Sequence, residues 1–191
     1  MSQSFRAGRG RRMQSVIERT LGQPNPPQME TRTGLALRLR AVTVPDRPFV
    51  EEFYSQLTIE DFRFRRVAGL KAVNPHHILD RIEVDHLHAE HLLAFDPAVG
   101  RLAGSVIILA DHGLANAEVA VVVAPQFRGQ GIGWSLLRHA AELARERGLS
   151  SLRSIETLGD HEPLEVKRTA GFQARPYEAD SSFVIVEATL A

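Results

Sequence analysis

The sequence predicts a mixed α/β domain built on a largely antiparallel sheet, and three observations predict it. Short apolar runs, several alternating with period two, occur at 35–41, 91–95, 102–109, 118–124, 152–158 and 183–186. The stretch after Pro45 and the stretch 133–147 instead repeat at helical spacing. Three of the strands follow one another with only turns between them, which suggests an antiparallel meander. At 191 residues the chain is one domain by a prior of roughly 150 residues per domain, with room for a tail. No internal repeat is present.

Taken in order, residues 1–10 are small, polar and basic without apolar periodicity, so disorder is expected. Met13, Val16, Ile17 and Leu21 allow one short amphipathic helix, and Pro24, Pro26 and Pro27 make a stiff linker after it. Residues 1–34 therefore read as a basic N-terminal arm, flexible or short-helical, and 35–191 as the folded domain. Leu35, Leu37, Leu39 and Ala41 alternate with Arg38 and Arg40, the pattern of a half-buried strand. Pro45 and Asp46 open a helix through Phe49, Val50 and Phe53. A second helix is expected after Thr58, with Glu60 and Asp61 in its first turn, and a third from Pro75 to about Asp85. Strands at 91–95 and 102–109 flank a turn at Asp96, Pro97 and Gly100, and the strand 118–124 follows the turn at 111–115. Leu136, Leu137, Ala140, Ala141 and Ala144 share one face of the helix 133–147, which Gly148 ends. A strand at 152–158, a short helix at 162–169 starting on Pro163, and a strand at 183–186 complete the chain.

Composition excludes several classes. Hydrophobic residues make up 43% and charged residues 24%, as in a soluble globular protein. The absence of cysteine removes disulfides, thiolate metal sites and a cysteine nucleophile. The longest apolar run, 119–124, is far short of the roughly 20 residues a bilayer needs. No apolar stretch follows the N-terminal arginines, so a secretory signal is not expected and a cytoplasmic location is; an Arg- and Ser-rich organelle presequence is the alternative for the arm. Net charge is zero, but 1–34 holds six arginines (Arg6, Arg9, Arg11, Arg12, Arg19, Arg32) against Glu18 and Glu30. That surplus supports only weak nucleic-acid contact at physiological salt. Only Lys71 and Lys167 are lysines, which reads as genome composition.

The segment from Val121 to Gly133 carries the chemistry. An apolar strand runs through Val121, Val122 and Val123 into Pro125, then into a loop of Arg128, Gly129, Gln130, Gly131, Ile132 and Gly133, then into the amphipathic helix. Glycines there permit tight turning and close approach of a ligand. The unpaired N–H groups of the first helical turn make an anion site, Arg128 adds charge, and a pyrophosphate is the natural guest. The spacing fits neither the G-x-G-x-x-G dinucleotide fingerprint nor a P-loop.

This stretch resembles the acyl-CoA pyrophosphate loop of the GNAT acyltransferase superfamily, Arg/Gln-x-x-Gly-x-Gly/Ala after a strand and Pro, with Arg128, Gly131 and Gly133 at its defining positions. The resemblance spans roughly 35–190. Ala117-Glu118-Val-Ala-Val-Val-Val and Leu57-Thr-Ile-Glu-Asp-Phe-Arg-Phe-Arg are similar to the acetyltransferase domain of bacterial Pat-type protein-lysine acetyltransferases. It implies a GNAT fold: a sheet of six to seven strands, splayed after the fourth and flanked by helices. It also implies acetyl-CoA as acyl donor and an amine acceptor, a protein lysine or N-terminus before a small molecule. On that resemblance, backbone groups of Val121 and Val123 would pair with the pantetheine amides, with Val122 between them. Residues 128–133 would hold the pyrophosphate, and Asp160 would stand near the cofactor where the superfamily often has Asn. Glu118 would be the general base, with Glu156 in reserve. The superfamily's thiolate-protonating tyrosine would fall at Lys167, and neither Tyr54 nor Tyr177 matches it. The resemblance allows a homodimer, which no residue requires. A non-catalytic acyl-CoA-binding module is the alternative reading.

Two other groups are weighed down. His86, His88 and His91 with Asp85 and Glu90 could hold a metal, but they lead into a strand that turns His91 away, and no second ligand group is spaced for zinc. No metal is expected. Phe62 and Phe64 among Arg63, Arg65 and Arg66 suit a core-facing helix better than base stacking, and His76 and His77 suit a solvated turn.

Overall fold

The strand alternation at 35–41 forms β2 (Ala36–Ala41), and the Pro45 signal forms a 3-10 turn leading into α1 (Arg47–Ser55). The meander is β3 (Ala89–Asp96), β4 (Arg101–Ala110) and β5 (Asn116–Val123), the long helix is α2 (Ile132–Glu146), and β6 (Ser151–Thr157) follows it. In the computed structural model, residues 28–58, 86, 88–157, 171–178, 181 and 183–190 are described. The arm and linker at 1–27, the helices expected after Thr58, from Pro75 and at 162–169, the histidines 76 and 77, Phe62 with its neighbouring arginines, Asp160 and Lys167 lie outside these residues.

The sheet has eight strands rather than six to seven. The additions are β1 (Gln28–Glu30) and β7 (Gln173–Pro176), which pairs with β8 (Phe183–Thr189). Both are edge strands, β1 with three residues around one buried Met29 and β7 with four that are exposed throughout, too short or too polar for alternation to register. β1 falls in the stretch read as arm, so the sheet starts at Gln28 rather than Leu35. The order is β1-β2-β3-β4-β5-β6-β8-β7, with every pair antiparallel except β5 and β6.

Alternation sorts the central side chains onto two faces. A Cβ on Gly104 of β4 would lie 2.8 Å from Leu136 Cδ1 and 3.1 Å from Ile132 Cγ2, so glycine lets α2 close onto the sheet. The face of α2 read from the sequence is the buried one, with Leu136, Ala140 and Ala144 fully buried. Gly148, at φ +76°, ends the helix, and the Leu149 N–H bonds back to the Ala144 carbonyl. Ser105 faces the other way, toward α1, where its hydroxyl is 3.1 Å from the Tyr54 hydroxyl and 2.8 Å from His91 Nε2.

Two buried carboxylates tie the frame together. Asp46, ahead of α1, accepts from Arg40 twice at 2.6 Å, and from the Thr43 N–H and hydroxyl at 2.7 Å. Burial works against its charge, but these donors outweigh it and hold the carboxyl below its ordinary range. Glu90 of β3 accepts from Arg147 at the end of α2, and His86 Nδ1 lies 3.0 Å from its other oxygen.

Candidate active site

The parallel register of β5 and β6 covers three rungs only: Asn116 opposite Ser151, Ala117 opposite Leu152 and Glu118 opposite Arg153. Beyond Glu118, β5 continues to Val123 along β4, whereas β6 continues along β8. The two strands part there. The splay follows the strand the resemblance indicates, which is fifth in the observed order because β1 precedes it.

Which groups line the gap follows from register. The Ala124 N–H donates to the Ala103 carbonyl at 2.9 Å, so with Gly104 opposite Val123 the backbones of Ala124 and Val122 face β4. Those of Val121 and Val123 face away from it, along the edge that β6 has left. Val121 and Val123 thus present backbone donors and acceptors to the gap. Val122 does not: its backbone faces Ser105, and its side chain is buried on the α1 face. From Glu118 to Val123 the open edge runs about 17 Å at strand rise.

At its far end the loop turns twice through the left-handed region. Gly129 and Gly131 both have φ +73°, where side chains with a Cβ are strained. Ser135 is the first residue of α2 whose N–H bonds back into the helix, to the Gly131 carbonyl at 3.1 Å. The N–H groups of Ile132, Gly133 and Trp134 are therefore the unpaired first-turn donors. Gly133 sits against Val123, which a Cβ would approach to 3.6 Å from Cγ2. Arg128 is exposed beside the loop.

One neighbour of the loop has no sequence signal. The turn at 31–34 between β1 and β2 packs on it: the Thr33 hydroxyl donates to the Gln130 carbonyl at 2.8 Å, and a Cβ on Gly131 would lie 3.3 Å from the Arg32 nitrogen. Gly131 is thus required both by its φ and by this contact.

Glu118 stands at the last shared rung, where the gap opens. Its side chain lies on the α1 face with Ser105 and Val122 and is 10% exposed, and Arg153 donates to Oε1 from Nη2 at 2.9 Å and from Nε at 3.2 Å. Arg153 is a second residue the sequence did not indicate, because only the register brings it opposite Glu118. A carboxylate fixed at the mouth of a gap can accept a proton from a group entering there. Glu156 lies farther along β6, paired with Val184. Tyr54 is buried against Ser105, and Tyr177 follows β7 with its N–H on the Phe183 carbonyl. The histidines have separate partners: His86 has Glu90, His91 has Ser105, and the His88 ring lies 6.4 Å from that of His112. Among the described residues no group of three His, Asp or Glu could hold a metal ion, and no helix is long and apolar enough to cross a membrane.

A strand gap with free backbone groups, ending at a helix N-terminus on a glycine loop, suits a long amide-bearing ligand with an anionic end. Acetyl-CoA has that form. Comparison with known proteins agrees. The family model described as "Acetyltransferase (GNAT) family" matches residues 51–164, more than half of the chain. An acetyltransferase of Pseudomonas aeruginosa is 23% identical over 154 residues, covering 80% of this chain and 83% of its own. Among solved structures, the GNAT domain of S. lividans PAT superposes with a TM-score of 0.74 at 24% identity, covering 86% of this chain and 96% of that one. The spermidine N-acetyltransferase of Vibrio cholerae, in complex with CoA and spermine, superposes with a TM-score of 0.62 at 15% identity over 81% of this chain and 95% of that one. The chain belongs to the GNAT acetyltransferase family, whose members use acetyl-CoA to acetylate amines.

Proposed function

We propose that this acetyltransferase transfers the acetyl group directly from acetyl-CoA to an amine, with Glu118 as general base. The carrying observation is the position of Glu118 on the last rung before β5 and β6 part. Residues 128–133 hold the pyrophosphate through Arg128 and the first-turn N–H groups of α2. The pantetheine amides pair with the backbone of Val121 and Val123, and the thioester carbonyl takes an N–H near Val123. A donor so placed is worth ~10²–10³ in rate where it has been removed from other enzymes.

The amine approaches from the α1 face. Glu118 accepts its proton, the nitrogen lone pair attacks the thioester carbonyl, and the carbon–sulfur bond breaks. CoA leaves as the thiolate, and the second proton shed by the acylated nitrogen reaches it through water, since Tyr54 is committed to Ser105. The acceptor is a protein lysine or N-terminus before a small-molecule amine, acetylation takes place in a bacterial cytoplasm, and a homodimer is compatible with it. The support for the protein acceptor is the Pat-like sequence around Glu118 and the similarity to the S. lividans domain.

A panel of lysine peptides, free N-termini and polyamines, read by free thiol release from acetyl-CoA, tests the acceptor. The reading predicts that peptide amines give the highest kcat/KM. Turnover confined to polyamines or other small amines contradicts the protein acceptor and leaves acetyl transfer standing.

A further inference from the structure

The first turn of α2 contains no acidic residue, although the N-terminal end of a helix favours negative charge. Arginines gather there instead. Arg32, carried by the turn between β1 and β2, places its guanidinium carbon 5.4 Å from the centre of the Trp134 ring, and Arg138 places its own 5.0 Å from the same centre. The two guanidiniums are therefore no farther apart than the sum of those distances. Arg138 reaches Glu142 at 3.6 Å in an exposed pair, while among the described residues Arg32 has no carboxylate partner. The Trp134 indole nitrogen is buried without a hydrogen-bond partner among the described residues. Arg32 is held in place by its own turn, through the Thr33–Gln130 hydrogen bond and the close packing on Gly131.

Two cations beside one ring near the positive end of a helix, only one of them offset by an exposed carboxylate, favour an anion between them. The pyrophosphate loop already has its own arginine in Arg128. Acetyl-CoA carries a second, separate anionic group, the 3′-phosphate on its adenosine. At 1.5 Å rise per residue, Trp134 and Arg138 lie about 4.5 and 10 Å along α2 from Gly131, one nucleotide's reach beyond the loop. Guanidinium forks match a phosphate, and both arginines sit over the one Trp134 ring.

We propose that Arg32, Trp134 and Arg138 form a subsite for the 3′-phosphoadenosine end of acetyl-CoA, so that the β1–β2 turn, which precedes the matched region 51–164, selects the acyl carrier. The proposal rests on the acetyl-CoA reading of the loop and not on the role of Glu118.

Calorimetric titration of the full chain with CoA and with 3′-dephospho-CoA tests it. The wild type binds CoA about 10-fold or more tightly than 3′-dephospho-CoA, the scale of one or two charge-assisted hydrogen bonds. Arg32→Gln and Arg138→Gln each lose most of that preference with 3′-dephospho-CoA affinity nearly unchanged, and Arg32→Lys keeps part of it. Equal loss for both ligands would move the arginines to the pyrophosphate and overturn the assignment. Unchanged affinity for both in folded variants would reduce them to packing on Trp134, and also overturn it. A folded wild type that binds neither ligand would remove the acetyl-CoA reading as well. Failure of Glu118 as base would leave these titrations as predicted.

Discussion

At the scale of single residues, position along the strand gap decides what each side chain can do. On the proposed reading Glu118 serves because it stands at the vertex, and Arg153 because it fixes Glu118 there with two hydrogen bonds to one oxygen. An ion pair with a partner 40% exposed adds little to stability, about 0–1 kcal/mol, so its main effect is orientation. Arg153→Met should lower kcat by about 10-fold to 10²-fold, the cost of a misplaced catalytic group, with the thermal midpoint nearly unchanged. A large fall in stability with normal kcat would show a structural role instead. His139, on α2, gives a pH signature. Burial lowers its pKa, against the raising influence of Glu142 and Glu146 and with a further lowering from Arg138. The unfolded chain therefore binds this proton more readily than the folded one. Its contribution to stability is complete above the unfolded value near 6.5 and is lost as pH falls from there toward the folded value. Denaturant unfolding between pH 7.5 and 5 should show that loss, and His139→Gln should flatten it; an unchanged pH slope in the variant would assign the loss to other groups.

Among the elements, the loop and α2 were legible in the sequence because their signals are local. Gly131 and Gly133 after Arg128, the apolar face through Leu136, Ala140 and Ala144, and the Gly148 stop all lie within a few residues of what they determine. β1 and β7 were not legible, being edge strands too short for alternation to register. The contact of the 31–34 turn with Gly131 was hidden for another reason: about a hundred residues separate the partners, and no local pattern encodes such a meeting. Val122 shows the same limit within one strand, since only the register with β4 tells which of three adjacent valines face the gap. Helix–sheet packing yields a sharp prediction. Gly104→Ala puts a methyl 2.8 Å from Leu136 Cδ1 and 3.2 Å from the Val122 carbonyl, overpacking that costs about 1–3 kcal/mol. Equilibrium unfolding should show it, and a neutral result would mean that α2 rides farther from the sheet.

Over the whole molecule, one buried ion pair ties the sheet to the long helix. Glu90 and Arg147 join the N-terminal end of β3 to the C-terminal end of α2, with 1% and 4% of their side chains exposed. Removing one partner strands the other charge in the interior. Arg147→Met should therefore cost about 3–5 kcal/mol, a drop in Tm of roughly 2–4 °C for each kcal/mol, while Glu90→Gln combined with Arg147→Met should recover part of it. Equal stability of the single and double variants would show that the pair is not coupled. The general organisation of this frame, mixed α/β with a mainly antiparallel sheet, was readable from alternation and turns, while its parting after the strand that bears Glu118 was implied only by the family resemblance that the loop motif carries. The rungs at which it parts were not, because pairing between β5 and β6 depends on the helix that connects them.

The central claim is that Glu118 at this vertex removes the proton from the acceptor amine. Its most direct test is acetyl-CoA turnover by Glu118→Gln, with CoA affinity measured on the same protein. The account predicts amine-dependent thiol release reduced by ~10²–10⁴ with CoA affinity retained, since residues 128–133 are untouched. Release equal to that of the wild type, at equal affinity, would contradict it and remove Glu118 from the reaction.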